Sequence, residues 1–489
     1  MTDQGYSLSI GIPQLEMPDF YASMSDMNKA SLVMLHEGGI VPRELASRIA
    51  AATQQLIERE SRPGARRSHD YLDFERELLA AAGPEASWLH VGRSRQDMLS
   101  TGVSLWLRAA HLAFFEDVLL VREALLDFAS RQVETVIPIY THGVQAQPTS
   151  LAHYVLGFLF ALDRTACRAT EGFTRANRSP LGAGAGTTSS FRINRERLPE
   201  LLGFEALVDN AFDANLVAPI DSTLELVQIF ATLAIQVGQL TQDLLAPFYL
   251  VDPWLTLDPA SMLTGISSMM PQKRNPRVLE VLREHASIIV GSADSMTLLA
   301  HNVTSGMSDV RETVTSIVPL ARMHELLLLF VRTIGAMAVD PQRSLAEVNR
   351  DYSAMTNLAE VLVHSAGVPF REAHEFASRL TDYGRQWGLR PPQIAYADAS
   401  RIYREHATTP LPLSEADFAA ALDPRSIIAT RRGRGGPQRD EVERMLNEAS
   451  QHIRLDRRWL AEKRQAASQA KSTLDSAFGS LLPVAAIRS

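Results

Sequence analysis

The sequence of 489 residues holds a single cysteine, Cys167, so no intramolecular disulfide can form and no multi-thiolate metal cluster can be built. That usage fits a cytoplasmic protein. Cys167 falls in an apolar helical stretch, which predicts a buried, inert thiol. Cationic excess is also lacking: 48 Lys and Arg face 56 Asp and Glu, for a net charge of −8. Bulk binding to nucleic acid needs the opposite balance. One short basic stretch, Arg431, Arg432 and Arg434 among glycines, reads as a mobile polar loop. The first residues carry no basic-then-apolar signal pattern. The most apolar run, Leu224 to Val251, is interrupted by Gln228, Gln236, Gln239, Gln242 and Asp243, which disfavours a membrane span and favours the centre of a large bundle.

Alternation with period two is absent as well. What is present is helical texture. Residues 1–110 are punctuated by Pro13, Pro18, Pro42, Pro63 and Pro84 and predict short helices and loops. Long patterns follow at roughly 112–135, 149–176, 221–249, 277–302 and 309–338, with apolar residues recurring at three- and four-residue steps. Pro319 would kink the last. After about 340 the helices are expected to shorten again. A single core rarely exceeds ~250–300 residues. The chain therefore predicts an all-α protein of three helical domains, 1–111, 112–339 and 340–489, the middle one a long central helical bundle. Helices apolar on more than one side predict oligomerisation through that bundle.

Four segments could carry chemistry. In the first, Gly265, Ser267 and Ser268 form a flexible polar connection, and Asn275-Pro276 suits the N-cap and first position of a following helix. The free N–H groups of such a helix end, with Lys273 beside them, would hold a carboxylate, and a nearby serine could act as base or nucleophile. An ordinary capped loop has the same features. The second, His90 to Asp97, offers Arg93 and Arg95 for a multiply charged carboxylate, or for surface ion pairs. The third, Thr141 to Pro148, contains His142, able to exchange protons near neutral pH, with Glu280 able to orient it if the bundle brings the two together. The fourth, Ser179 to Thr187, is rich in glycine, but no strand precedes it and no Lys follows its last Gly. It reads as a turn for close backbone approach rather than a nucleotide loop.

The order of these segments resembles the argininosuccinate lyase branch of the fumarase/aspartase superfamily. Ser267 to Pro276 is similar to the superfamily's mobile-loop motif in its Pro-Gln-Lys form. His90 to Asp97 resembles a Gly-Arg-Ser-Arg-Asn-Asp region, and Thr141 to Pro148 a Thr-His-Leu-Gln-x-Ala-Gln-Pro region. Phe20 to Ser23 resembles Phe-Asn-Ala-Ser, and Gly367 to His374 is similar to a run in the family's C-terminal part. The resemblance implies Ser267 as the base and Lys273 and Asn275 as the groups stabilising the intermediate. It implies His142 as the proton-handling histidine and Glu280 as its carboxylate partner. It puts Ser23, Arg95, Gln96, Thr141, Gln147 and Ser268 at or beside substrate positions. It further implies a homotetramer with each site built from three subunits, and no metal or organic cofactor.

Three departures bear on the leaving group. Gln96 stands where the family has Asn. His301 to Arg311 replaces a Tyr-Asn-x-Asp-Leu-Gln-Glu-Asp-Lys segment, with Arg311 in reach of the Lys role. Asp70-Tyr71-Leu72-Asp73 replaces an Asp-Ile-His run. The resemblance thus implies β-elimination of an N-substituted aspartate to fumarate and an amine or guanidine. Argininosuccinate, and with it arginine biosynthesis, is the default. A paralogue for another aspartate adduct, or a non-catalytic structural member of the family, is the alternative. The expected partners are a small-molecule substrate and other copies of the chain, with neither nucleic acid nor membrane.

Overall fold

The computed structural model describes residues 15, 17, 19–306, 320–407 and 409–483. The fold is helical, as its sequence texture predicts. Helices α1 (Phe20–Glu37), α2 (Arg43–Glu60) and α3 (Tyr71–Ala82) come first, and α4 (Arg95–Ser130) follows. Two short strands, β1 (Val136–Thr141) and β2 (Val144–Ser150), then lead into α5 (Leu151–Ala176). After the short α6 (Arg197–Leu202) and α7 (Ala211–Leu216) come α8 (Ala218–Leu245) and α9 (Arg277–Ala300). The helix Leu320–Gly335 and shorter helices precede a final helix, Arg439–Gly479.

Local sequence sets the helix ends. Ser94 accepts from the Gln96 N–H at 3.2 Å and Asp97 accepts from the Ser94 N–H at 2.8 Å, a reciprocal cap that starts α4. Ser150 caps α5 through the His153 N–H at 3.1 Å. Helix α4 therefore begins at residue 95, well before the expected 112, and passes residue 111 unbroken over 36 residues, roughly 54 Å. The expected shortening after 340 also fails at its end: Arg439–Gly479 has 41 residues. Its charged, low-hydropathy surface hides the apolar positions Val442, Met445, Ala449, Ile453 and Leu460.

Three hydrophobic clusters hold most of the interior. The largest joins α4, α5, α8, α9, Leu320–Gly335 and the first half of the final helix, through residues such as Phe114, Leu159, Phe230, Leu282, Phe330 and Ile453. A second joins α1 to α3 with Leu474 and Phe478 from the far end of that final helix. A third lies within residues 354–427. Helix α8 is long and apolar enough, by length and composition, to cross a membrane together with the turn to Tyr249, yet half of its most apolar window is buried in the bundle. Cys167 is exposed, against expectation. The buried stripe of α5 runs through Leu159, Leu162, Ala166, Ala169 and Phe173, and Cys167 lies off it. The Arg431–Gly436 stretch is not a free loop either. Arg431 pairs with Glu360 at 2.5 Å, and the Gly435 carbonyl meets His153 Nε2 at 2.9 Å.

A charged cluster lies inside the bundle. Arg122 of α4 is fully buried and bonds Asp163 of α5 and Asp456 of the final helix, each at 2.5 Å, while His452 Nδ1 lies 2.8 Å from Asp163. His111 of α4 is also buried, and burial pushes its imidazole down to about 4. The unfolded chain takes that proton near pH 6.5, the folded chain only near 4. Between these values the unfolded state binds more protons, so stability falls as pH drops through the window. One such proton contributes at most about 1.4 kcal/mol per pH unit. Urea midpoints at fixed protein concentration should decline from pH 7 to 5 more steeply in the wild type than in His111→Gln. Parallel profiles would contradict this assignment.

Candidate active site

The Ser267 loop is a tight hairpin. Gly265 pairs with Asn275 and Ile266 with Arg274, closing residues 267–273 into an exposed tip. Ser267 Oγ accepts from the Met270 N–H at 3.0 Å and from the Met269 N–H at 3.4 Å. Those donors favour negative charge on the oxygen, the condition for a serine to act as a base. Ser268 and Lys273 are exposed on the same tip, and among the described residues no acid pairs with Lys273. The expected capping is corrected: α9 starts at Arg277 with Pro276 before it and no side-chain cap. Asn275 belongs to the hairpin stem instead. The Val278 N–H is already taken by the Leu263 carbonyl at 3.3 Å, so the helix end offers fewer free donors than its sequence suggests.

His142 sits at the tip of the second hairpin. Thr141 pairs with Val144, and His142 and Gly143 form a two-residue turn with φ of +55° and +78°. Thr141 and His142 are exposed and Gln147 is half-buried. Gln145 anchors the hairpin by donating to the Glu347 and Val348 carbonyls at 3.3 and 3.1 Å. Glu280 is held by Arg277 at 2.7 Å, on the first turn of α9. Within one chain no hydrogen bond joins Glu280 to His142, so a single subunit does not make that pair.

The α4 end is organised differently from its sequence reading. Arg93 is buried and donates to Ser31 Oγ at 3.0 Å and Asn28 Oδ1 at 2.8 Å, over the ring of Tyr71. It is thereby committed to the fold, and only Arg95 is exposed, paired with Asp70 at 3.0 Å. Gln96 Nε2 is 3.5 Å from the Asn215 carbonyl. Ser23 is buried on α1, its hydroxyl donating to the Asp19 carbonyl at 3.3 Å. His90 stacks on Tyr71 at 4.2 Å, and burial, then Arg93, push its imidazole down to about 4. Arg311 lies outside the described residues.

Asp97 was not among the candidate site residues, and it is central. Its Oδ2 accepts from the Gly182 and Gly184 N–H groups at 2.9 and 3.0 Å, which pins the glycine turn to α4. Burial pushes its carboxyl up to about 6 against the pull of these donors and of Arg93. Gly182 and Gly184 both have positive φ, and a Cβ on Gly184 would meet the Thr188 carbonyl oxygen at 2.8 Å, so close approach requires glycine there. The Ser94-x-x-Asp97 spacing was the available signal. Among the described residues no hydrogen bond joins Ser267, Lys273, His142 or Arg95 to one another, and no group of three or more His, Cys, Asp or Glu could hold a metal ion.

Comparison with known proteins decides what these separated segments belong to. The family described as Lyase matches residues 37–291, and the family described as Argininosuccinate lyase C-terminal matches 352–429. The argininosuccinate lyase of Methanosarcina acetivorans is 31% identical over 464 residues, covering 93% of this chain and 90% of that protein. The chain belongs to the argininosuccinate lyase branch of the fumarase/aspartase superfamily. The argininosuccinate lyase of Geobacillus thermodenitrificans is 32% identical over 439 residues, 87% of this chain and 91% of that one. Among solved structures, an EDDS lyase in complex with formate superimposes with a TM-score of 0.85 at 27% identity, covering 95% of this chain and 93% of that chain. A class II fumarase from Schistosoma mansoni shares the fold at a TM-score of 0.65 and 14% identity, covering 87% and 96%. This member of the branch is a carbon–nitrogen lyase that releases fumarate from an N-substituted aspartate.

Asp97→Ala removes the acceptor for Gly182, Gly184 and Ser94 N–H groups at once. It should cost about 2–4 kcal/mol, read as a lower urea midpoint at fixed protein concentration. An unchanged midpoint would show that the glycine turn holds itself.

Proposed function

We propose that this lyase acts on argininosuccinate, with Ser267 as the base. The observation that carries the reading is the Ser267 hairpin, in which two backbone N–H groups point at the hydroxyl oxygen and Lys273 and Asn275 flank the same loop. Ser267, entering the step as the alkoxide that the Met269 and Met270 N–H groups favour, takes the proton from the carbon next to a carboxylate, and the electron pair moves onto that carboxylate as an aci-dianion. Lys273 and the Asn275 amide stabilise it, and the pair then returns to form the double bond of fumarate as the C–N bond breaks. His142 gives the leaving nitrogen its proton, oriented by Glu280 of another copy. Ser23, Arg95, Gln96, Thr141, Gln147, Ser268 and Arg311 bind substrate. Losing one donor to a developing oxyanion typically costs ~2.7–4 kcal/mol.

The same reading makes the protein a cytoplasmic homotetramer of three-domain subunits. Ile235 on α8 and Ile288 and Leu298 on α9 are exposed in a single chain, which supports burial of these helices against other copies. Such packing would also bring Glu280 to a His142 it does not meet within one chain. A second substrate class, another N-substituted aspartate, is favoured by Gln96 in the Asn position and by the fit to the EDDS lyase.

Two measurements test this. Purified protein is incubated with a panel of N-substituted aspartates while fumarate is followed by ultraviolet absorbance, with fumarate addition to the matching amines run alongside. Rapid turnover of argininosuccinate is expected; turnover of only a different adduct would select the second class, and none in either direction would refute the substrate reading. Ser267→Ala should abolish turnover, by at least about a thousandfold, while its oligomeric state is unchanged. Wild-type activity in that variant would remove Ser267 from the role of base.

A further inference from the structure

A cavity of about 440 Å³ lies against the His142 hairpin, and of the segments assigned above it touches Gly143 of that turn. One wall is β1, with Ile137 and Tyr140, together with Gly143 of the turn. The opposite wall is the end of α8 and the chain after it, with Leu244, Pro247 and Leu255. Its size and apolar lining suit a small organic molecule.

Three polar groups stand in this apolar setting. Trp254 lines the cavity at 6% exposure, and its indole N–H is buried with no acceptor among the described residues. A buried donor left without an acceptor is costly, and a ligand oxygen would satisfy it. Tyr154 donates to Asp243 Oδ2 at 2.5 Å, and both line the cavity. Among the described residues no basic side chain pairs with Asp243, which is exposed to solvent and lines the cavity. The arrangement asks for an apolar body carrying an acceptor oxygen inward and a cation at the mouth.

We propose that this cavity is a second small-molecule site, which takes an amphiphilic amine with one acceptor oxygen and changes turnover through the His142 turn. The coupling is physical. Gly143 touches the cavity and is bonded to His142, whose φ of +55° is a left-handed conformation that a non-glycine residue holds only when its surroundings fix it. The Trp254 wall runs directly into the strand Leu255–Leu257, upstream of Ser267. The turnover half of the proposal rests on the lyase reading; the binding half does not.

Tyramine is the probe, with phenethylamine lacking its oxygen and p-cresol lacking its amine. Calorimetry on the intact assembly should show one saturable tyramine site per chain, with each control weaker by about fivefold for its missing contact. Trp254→Phe should erase the difference between tyramine and phenethylamine, and Asp243→Asn that between tyramine and p-cresol. Asp243→Asn should keep its fumarate release without tyramine and lose the response to it. Absence of saturation, equal affinity for all three compounds, wild-type discrimination in both variants, or competition with the aspartate substrate would each overturn the site. Selective binding with unchanged fumarate release would overturn the coupling to His142.

Discussion

The buried Arg122 guanidinium ties together the helices on which the rest of the molecule depends. A cation at zero exposure needs counter-charges, and here they come from two other helices, Asp163 of α5 and Asp456 of Arg439–Gly479. Leaving either carboxylate or the cation unpaired in that interior is far more costly than the pair is stabilising. The cluster therefore selects one mutual register for α4, α5 and the final helix. A second polar contact of the same kind, His324 to Asp117 at 2.7 Å, fixes Leu320–Gly335 against α4. Apolar packing alone would tolerate small slides between these long cylinders; directional polar contacts do not.

That register is transmitted to the chemistry because the candidate residues sit at helix ends. The hairpin bearing His142 is the connection between α4 and α5, so the angle between those helices sets where its tip points. The Ser267 hairpin leads directly into α9, and the start of α4 holds Arg95 and Gln96 while Asp97 pins the glycine turn. Rigid helices thus position short loops, each with its own internal bonds: Ser267 to Met270, Gln145 to Glu347 and Val348, Asp97 to Gly182 and Gly184. Several such loops in one chain, without bonds among their key side chains, fit a site completed by other copies.

The local setting of the candidate residues was legible in residue order. Ser267, Lys273 and His142 stand in motifs whose local context, a loop before a helix and a connection between helices, was correctly placed. The His142 hairpin was not visible as strands, because its polar tip from Thr141 to Gln147 buries neither face and so has no alternation to read. Arg93 and Arg95 looked equivalent two residues apart. One falls just before α4 and turns into the Asn28 and Ser31 pocket, the other opens the helix and faces solvent. Asp97 looked like part of a polar motif, yet its carboxylate is buried and spent on backbone. Cys167 looked buried because its neighbours are apolar, but the phase of α5 turns it outward.

By itself the sequence determined that the chain is helical and that its long helices bury apolar stripes, and it carried the motifs by which the chain resembles the lyase branch it belongs to. These follow from periodicity, capping and residue type, which act over a few neighbouring residues. Only the tertiary structure decided which arginine is structural and that the final helix returns across two hydrophobic clusters. It also decided that Glu280 pairs with Arg277 rather than His142 within one chain. Those outcomes depend on which groups meet across hundreds of residues, and the cost of burying unpaired charge, invisible in local pattern, is what selects among them.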